Sequence, residues 1–470
     1  MAGERRDAAD GATSETVDPA TGEGFADVAR AGPADVDAAL TAAARAFEER
    51  GAWDPNPAVR SRVLHRVAEL VADRAEELAR LECRDAGHPV VDARWEAGQV
   101  ARTFEYYAGF ADKHLGQQVP TQDPGLDVVL REPVGVCALI VPWNFPMLIA
   151  SWKLAPALAC GNPVVLKPAS LTPLTALALG DLLVEAGIPP AYVSVLPGPG
   201  ATIGDLLVGD RRVDKVGFTG ETATGARILR TSAGNITRVS LELGGKSACV
   251  VFGDADIERC VDEMPSAVFA NAGQDCCARS RILVERVVYD DFVARFAERT
   301  EAVVLGAPGD AGTEVGPLIS AAQRQRALDY ASVGQQEGAR LVAGGGVPDG
   351  PGFFMRPAVV ADVDNSMRIA REEIFGPVAS VIPFGDEDDA VRIANDSDFA
   401  LAGSLWTGSA TRAIRLARRL RTGTLSVNTN RSVRTETPFG GFKRSGLGRE
   451  LGPAAMDLYS EARNVFFAED

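Results

Sequence analysis

From residue 128 the chain is written in short β-branched runs that end in Gly or Pro: VGVCALIVPW, NPVVLKP, YVSVLPG, KVGFTG and RVSLELGG. Stretches rich in Ala and Leu, notably LTPLTALALGDLLVEAGIP, separate several of them. A strand that is apolar on both sides has to be buried on both sides, and strands joined through helices lie parallel. The pattern therefore predicts an α/β fold: a parallel sheet covered by helices, with a nucleotide site at the carboxyl ends of its strands. A second series, ARSRILVE, ASVIPFG, LAGSLWT and GTLSVNTN, repeats the grammar, and Gly244-Gly245 falls at the break as a candidate domain boundary. Upstream, residues 36–49 and 58–87 place apolar side chains at spacings of three and four, which reads as two amphipathic helices, the second closed by Gly87. The first 115 or so residues thus read as helical, behind a charged, small-residue tail (1–16) expected to fray. DVVLREPVG (127–135) reads as a hairpin strand outside the first sheet.

At 470 residues the chain can hold two or three domains and needs no disulfide stapling. Its seven cysteines show no CxxC spacing and it has three histidines, a poor basis for a zinc site or a disulfide framework. A reducing, cytoplasmic setting is expected. No run of eighteen apolar residues occurs, so no membrane span is expected. With 48 basic and 64 acidic side chains the net charge is −16, which disfavours nucleic acid as a partner.

Six segments combine residue types suited to chemistry. NAGQDCCARS sets Cys276 and Cys277 behind Gly273-Gln274-Asp275; a thiol there reads either as a nucleophile or as a small core residue. His65, His88 and His114 all sit in the helical amino-terminal region, so an acid-base partner is sought among carboxylates. VSLELGGKS supplies Glu242 at a strand end, either a general base with a raised pKa or an outward-facing strand residue. IVPWNFPM holds Asn144 between prolines, as an oxyanion donor or as a turn residue. VVLKPAS places Lys167 at a strand end, and LPGPGATIG and GFTGETATG offer Gly-rich turns able to bring N–H groups to a pyrophosphate.

In this order the segments resemble the NAD(P)-dependent aldehyde dehydrogenase superfamily, from about residue 16 to the end, most specifically in PWNFP, LELGGKS, GQDC, EEIFGPV (372–378) and PFGGFKRSGLGRE (438–450). The resemblance implies Cys276 as nucleophile, 34 residues past Glu242, with Glu242 as general base and Asn144 as oxyanion donor. It implies cofactor contacts from Trp143, Lys167, Ser170, Gly220, Glu221, Glu373 and Phe375, Lys167 at the adenosine ribose, Glu373 at the nicotinamide ribose and Phe375 beside the nicotinamide, with Lys153 close to the site. The implied reaction is oxidation of an aldehyde through a thiohemiacetal and a thioester, with NAD or NADP and no metal. The implied architecture is a Rossmann-like cofactor domain (1–114 and 134–244), an α/β catalytic domain (245–444) and a small β oligomerisation arm (115–133 and 445–470), in a homodimer or homotetramer.

Departures from the family pattern bear on specificity. Many NAD-preferring members have a Glu where this chain has Ser170, and a Ser does not repel a 2'-phosphate. Glu221 opens a helix near the expected pyrophosphate, where its side chain is expected to point away. Phe145, Trp152 and Phe439 predict a largely apolar substrate tunnel. Asp275 would attract an ammonium or pair with an arginine, whereas Arg431 and Arg434 would attract a carboxylate. A CoA-acylating semialdehyde dehydrogenase and a non-catalytic protein retaining the fold are the alternatives; Glu242 speaks against the first and the intact set of Asn144, Glu242, Cys276 and Glu373 against the second.

Overall fold

The computed structural model describes residues 1–49, 53 and 56–469. It begins with a hairpin, β1 (Thr13–Asp18) and β2 (Glu23–Ala29), followed by helices α1 (Pro33–Glu49), α2 (Pro57–Asp73), α3 (Ala75–Ala86) and α4 (Val90–Phe110). The hairpin corrects both the helical start and the frayed tail. Thr13 to Thr16 pair with Ala29 to Ala26, Met1 packs against the apolar cluster around α1, and Asp35 accepts the Ala9 N–H at 3.2 Å. A two-stranded ribbon of mostly polar residues carries no apolar alternation, which is why its pattern is mute. The single helix expected over 58–87 breaks at Arg74 (φ −107°, ψ 17°), whose guanidinium pairs with Glu185 of a neighbouring helix. Gly87 closes α3 in the left-handed conformation, as read from sequence.

Next come β3 (Gln117–Val119), β4 (Gly125–Pro133), β5 (Cys137–Ile140), α5 (Pro146–Ala159), β6 (Val164–Lys167), α6 (Leu174–Glu185), β7 (Val193–Val195), α7 (Asp205–Gly209), β8 (Lys215–Thr219), α8 (Thr222–Ser232) and β9 (Arg238–Glu242). Strands β9-β8-β5-β6-β7 lie side by side, every pair parallel. Alternate residues of β5 face opposite clusters: Cys137 and Leu139 meet α2, α4, α5 and α6, while Ala138 and Ile140 meet α1. The chain order reverses between β5 and β8. Loops leaving those two strands diverge and open a crevice, where Trp143 to Phe145 and Gly220-Glu221 lie.

Beyond Gly244-Gly245 follow β10 (Ala248–Val251), α9 (Ile257–Phe269), β11 (Arg281–Glu285), α10 (Tyr289–Glu301), α11 (Ala321–Gln336), β12 (Arg340–Ala343), β13 (Ala358–Ala361), α12 (Arg368–Arg371), β14 (Val378–Phe384), α13 (Glu387–Asn395), β15 (Phe399–Ala400), β16 (Ala402–Trp406), α14 (Ala410–Ala417) and β17 (Thr424–Val427). They form a seven-stranded sheet, β12-β13-β14-β11-β10-β16-β17, parallel except between β12 and β13. A short β18 (Phe442–Lys443) pairs with β15. Residues 445–470 then divide: β19 (Gly446–Leu447) adds antiparallel to β9 in the first sheet, whereas β20 (Ser460–Ala468) pairs along β4 in a three-stranded sheet with β3. Asp470 lies outside the described residues. Among the described residues no helix is long and apolar enough to cross a membrane.

Leu139 is fully buried at the centre of the first sheet. Leu139→Ala should cost about 2–5 kcal/mol, seen calorimetrically as a first unfolding transition several degrees lower; an unchanged transition would contradict this packing.

Candidate active site

Between α9 and β11 the backbone takes three successive left-handed residues, Asn271 (φ 50°), Ala272 (φ 53°) and Gly273 (φ 71°). Two of them carry a side chain, a conformation that persists only where packing over-determines it. A Cβ on Gly273 would sit 2.3 Å from the Gly376 carbonyl oxygen, so this turn admits only glycine. Polar contacts then lock the loop. Gln274 accepts the Ile319 N–H at 2.9 Å, Asn271 Nδ2 donates to the Asn144 carbonyl at 2.6 Å, and Asn144 Nδ2 donates to the Gln274 carbonyl at 2.9 Å. Among the described residues Asp275 forms no direct ion pair with an arginine, though the charge of Arg279 acts on it; its Oδ1 accepts the Cys277 N–H at 2.8 Å, bracing the loop from within.

The loop presents half-buried Cys276 to a cavity of about 1290 Å³ that Glu242, Phe145, Trp152, Phe439 and Arg431 also line. The rings of Trp152 and Phe439 meet edge to face at 5.3 Å, and Leu148 and Ile149 extend the apolar wall. Arg431 and Arg434 are exposed at its rim. Cys276 and Cys277 are both free thiols, Sγ to Sγ 3.9 Å. The Cys277 thiol, then burial, then the charges of Cys277 and Asp275 push the Cys276 thiol well above its ordinary range. Burial, reinforced by Glu450, does the same to the Glu242 carboxyl, and Glu242 Oε2 has no hydrogen-bond partner. Fully buried Lys153 pairs with Glu450 and donates to Thr219 Oγ1 at 2.8 Å. The same setting thus favours the protonated forms of both Cys276 and Glu242.

The other residues singled out from sequence lie away from this cavity wall. Glu373 accepts the Gly245 N–H at 2.9 Å, and burial pushes its carboxyl up to about 7. Phe375, in the left-handed region at φ 61°, meets the Trp143 ring edge to face at 5.3 Å. Lys167 donates to the Pro168 carbonyl at 2.7 Å, and burial lowers its ammonium to about 8. Ser170 donates to the Gly198 carbonyl at 2.9 Å. Gly220 donates to the Glu242 carbonyl at 3.0 Å, and exposed Glu221 precedes α8 without capping it through its side chain. These groups surround the crevice between β5 and β8 with an ammonium, a buried carboxylate, an aromatic edge and the amino end of an eleven-residue helix.

The model of the aldehyde dehydrogenase family matches residues 6–465. The chain belongs to the aldehyde dehydrogenase family. It is 41% identical to a betaine aldehyde dehydrogenase of Bacillus subtilis, over 96% of this chain and 93% of that protein. It is 43% identical to the human mitochondrial aldehyde dehydrogenase, over 98% and 90% respectively. Among solved structures, a mutant aldehyde dehydrogenase from Bacillus cereus superposes with a TM-score of 0.98 at 40% identity, covering 99% of this chain and 95% of that one. A mutant betaine aldehyde dehydrogenase from Staphylococcus aureus in complex with NAD+ superposes with a TM-score of 0.97 at 37% identity, with the same coverage.

In this aldehyde dehydrogenase the fold also brings to the site residues that pattern reading passes over. Glu450 ends the PFGGFKRSGLGRE segment, yet only the fold sets it against Lys153, 297 residues away. Asn271 lies in the segment NAGQDC, but its tie to Asn144 is tertiary. His88, set aside with the other histidines, lines the same cavity as Cys276, its ring 5.4 Å from that of Phe145. In the cofactor-free aldehyde dehydrogenase, alkylation of Cys276 by iodoacetamide should be slow at neutral pH and still rising with pH above the range of an ordinary thiol. Cys277→Ser, which removes the leading cause of the raised pKa, should move that profile to lower pH; mass mapping that finds no shift would contradict the assignment.

Proposed function

We propose that this enzyme oxidises an aldehyde to its carboxylic acid with NAD or NADP, using Cys276 as nucleophile and Glu242 as general base. The observation that carries the reading is that these two groups open onto one largely apolar cavity while the Asn144 amide is tied to the nucleophile's own loop. The Cys276 thiol loses its proton to water in the cavity, and the thiolate adds to the aldehyde carbonyl. An Asn amide has two N–H donors, and one remains for the developing oxyanion beside the Cys276 backbone N–H. When bound, the dinucleotide supplies the hydride acceptor. Lys167 and Ser170 would hold its adenosine ribose, the Gly220-Glu221 turn its pyrophosphate, and Glu373, Phe375 and Trp143 its nicotinamide half. The acyl group left on Cys276 as a thioester is released by water that Glu242 deprotonates; a carboxylate with a raised pKa is the stronger base once ionised. Ser170 places no carboxylate to repel a 2'-phosphate, which supports use of either dinucleotide.

An apolar tunnel lined by Phe145, Trp152 and Phe439 suits medium-sized aliphatic or aromatic aldehydes. The three-stranded sheet exposes Leu126, Leu130, Phe466 and Phe467, which supports assembly into a homodimer or homotetramer through it. Free thiols at all seven cysteines are in keeping with the cytoplasm.

The test is NAD(P)H formation with neutral aliphatic, aromatic, amino and carboxylated aldehydes, each with NAD and with NADP. Cys276→Ala should lower turnover by about a thousandfold or more, while Cys277→Ala stays active. Glu242→Gln should keep a first-turnover burst and lose about a hundredfold in the steady state. Added CoA should not be consumed. Equal activity of Cys276→Ala and wild type, or no reduction with any pair, would overturn the proposal.

A further inference from the structure

Beside the cavity, three ionisable side chains meet without a lysine or arginine among them. Glu82 near the end of α3, His88 in the turn that follows and Glu96 in α4 bring their ligand atoms within 4.8 Å of one another, and none of the three is more than 1% exposed. The α3–α4 corner creates this cluster: Gly87 ends one helix, Val90 starts the next, and the two helices fold their acidic residues toward the histidine between them. A single hydrogen bond joins the group, between His88 Nδ1 and Glu96 Oε1 at 2.7 Å. Both Glu82 oxygens, Glu96 Oε2 and His88 Nε2 lack a well-formed hydrogen bond, and the Thr175 hydroxyl lies beside Glu82. Among the described residues, no lysine or arginine forms an ion pair with either glutamate.

Such a cluster is costly as it stands, because a buried carboxylate without a partner loses its hydration for nothing in return. Two protons would balance the two carboxylates but leave unpaired oxygens and an unpaired nitrogen. One dication balances the same two charges and takes a neutral imidazole and carboxylate oxygens as ligands at once. We propose that Glu82, His88 and Glu96 bind one first-row divalent cation of the zinc or manganese kind. One nitrogen and two carboxylates form a borderline donor set that suits these ions, whereas calcium asks for six or more oxygens and magnesium keeps several waters. With bonds of about 2.0–2.2 Å the ligand atoms of a tetrahedral zinc stand about 3.4 Å apart, so the cluster closes by little more than about 1 Å from its widest separation. Access runs through the substrate cavity, which His88 and Glu96 line and behind which Glu82 lies. The ion touches no reacting atom. It pins the α3–α4 corner and the His88 ring, against which Phe145 packs next to Asn144.

The other compact donor group, Asp275 with Cys276 and Cys277, would itself capture zinc through its thiols. The test therefore uses the full-length enzyme carrying Cys276→Ser and Cys277→Ser, stripped with a chelator and titrated calorimetrically with Zn²⁺ and with Mn²⁺. One ion per chain should bind and raise the unfolding temperature. Glu82→Gln and His88→Gln, introduced separately, should each weaken binding by more than about tenfold. Crystals soaked in Zn²⁺ should show an anomalous peak among the three side chains, a readout independent of whether either variant folds. No stoichiometric binding of either ion, binding unaffected by both substitutions, or a peak elsewhere would overturn the proposal and leave protons as the occupants.

Discussion

Everything in the site depends on how closely three backbone segments approach one another at Gly244 and Gly245. A Cβ on Gly244 would lie 2.1 Å from the Glu373 carboxylate, and one on Gly245 would lie 2.3 Å from the Cys276 carbonyl oxygen. With no side chain at either position, the segment leaving β9, the nucleophile loop and the Glu373 loop share one layer of contact. Ser445 closes the fourth side, its hydroxyl donating to the Gly244 carbonyl at 2.8 Å and its backbone carbonyl accepting the Leu243 N–H at 2.9 Å. Glu242, at the end of a strand in one sheet, thereby reaches the same cavity as Cys276, which hangs from the other.

Charge in this region is rationed by burial. Lys153 is the cation that faces both Glu242 and Glu450, and its hydrogen bonds go to Glu450 and Thr219. Glu242 is left with a bare oxygen and a strong preference for its proton. An acid so placed is poor at holding charge and correspondingly good at taking a proton from water. The apolar wall of Trp152, Phe439, Leu148 and Ile149 maintains that low-dielectric setting. At the rim the situation differs: Arg102 and Arg259 are paired with Glu436 and Glu263, in solvent where such pairs contribute little.

Much of this was legible in the amino-acid string. Strands apolar on both faces announced two wound sheets because a parallel strand must be buried twice, and each quoted run became a strand. Glu242, Asn144 and Cys276 stood out because each sits at a strand end or a Gly- or Pro-fixed turn, where chemistry-bearing side chains are held. The hairpin of residues 13–29 was silent, since its polar residues show no alternation. The contact of Asp275 with the Cys277 N–H, two residues along the chain, was not legible, because it depends on a turn that local pattern does not disclose.

The sequence by itself determined the strand and helix grammar and the short set of candidate reactive side chains, because these follow from burial periodicity and from what each residue type can do. Only the tertiary structure decided which distant groups share an environment: Lys153 with Glu450, Asn271 with Asn144, and His88 with Phe145 on the cavity wall. The left-handed geometry at Asn271 and Ala272 belongs with these. The reason is physical: intrinsic preference opposes that conformation, and only contacts from segments a hundred or more residues away, Asn144 and Gly376 among them, make it the lowest in energy.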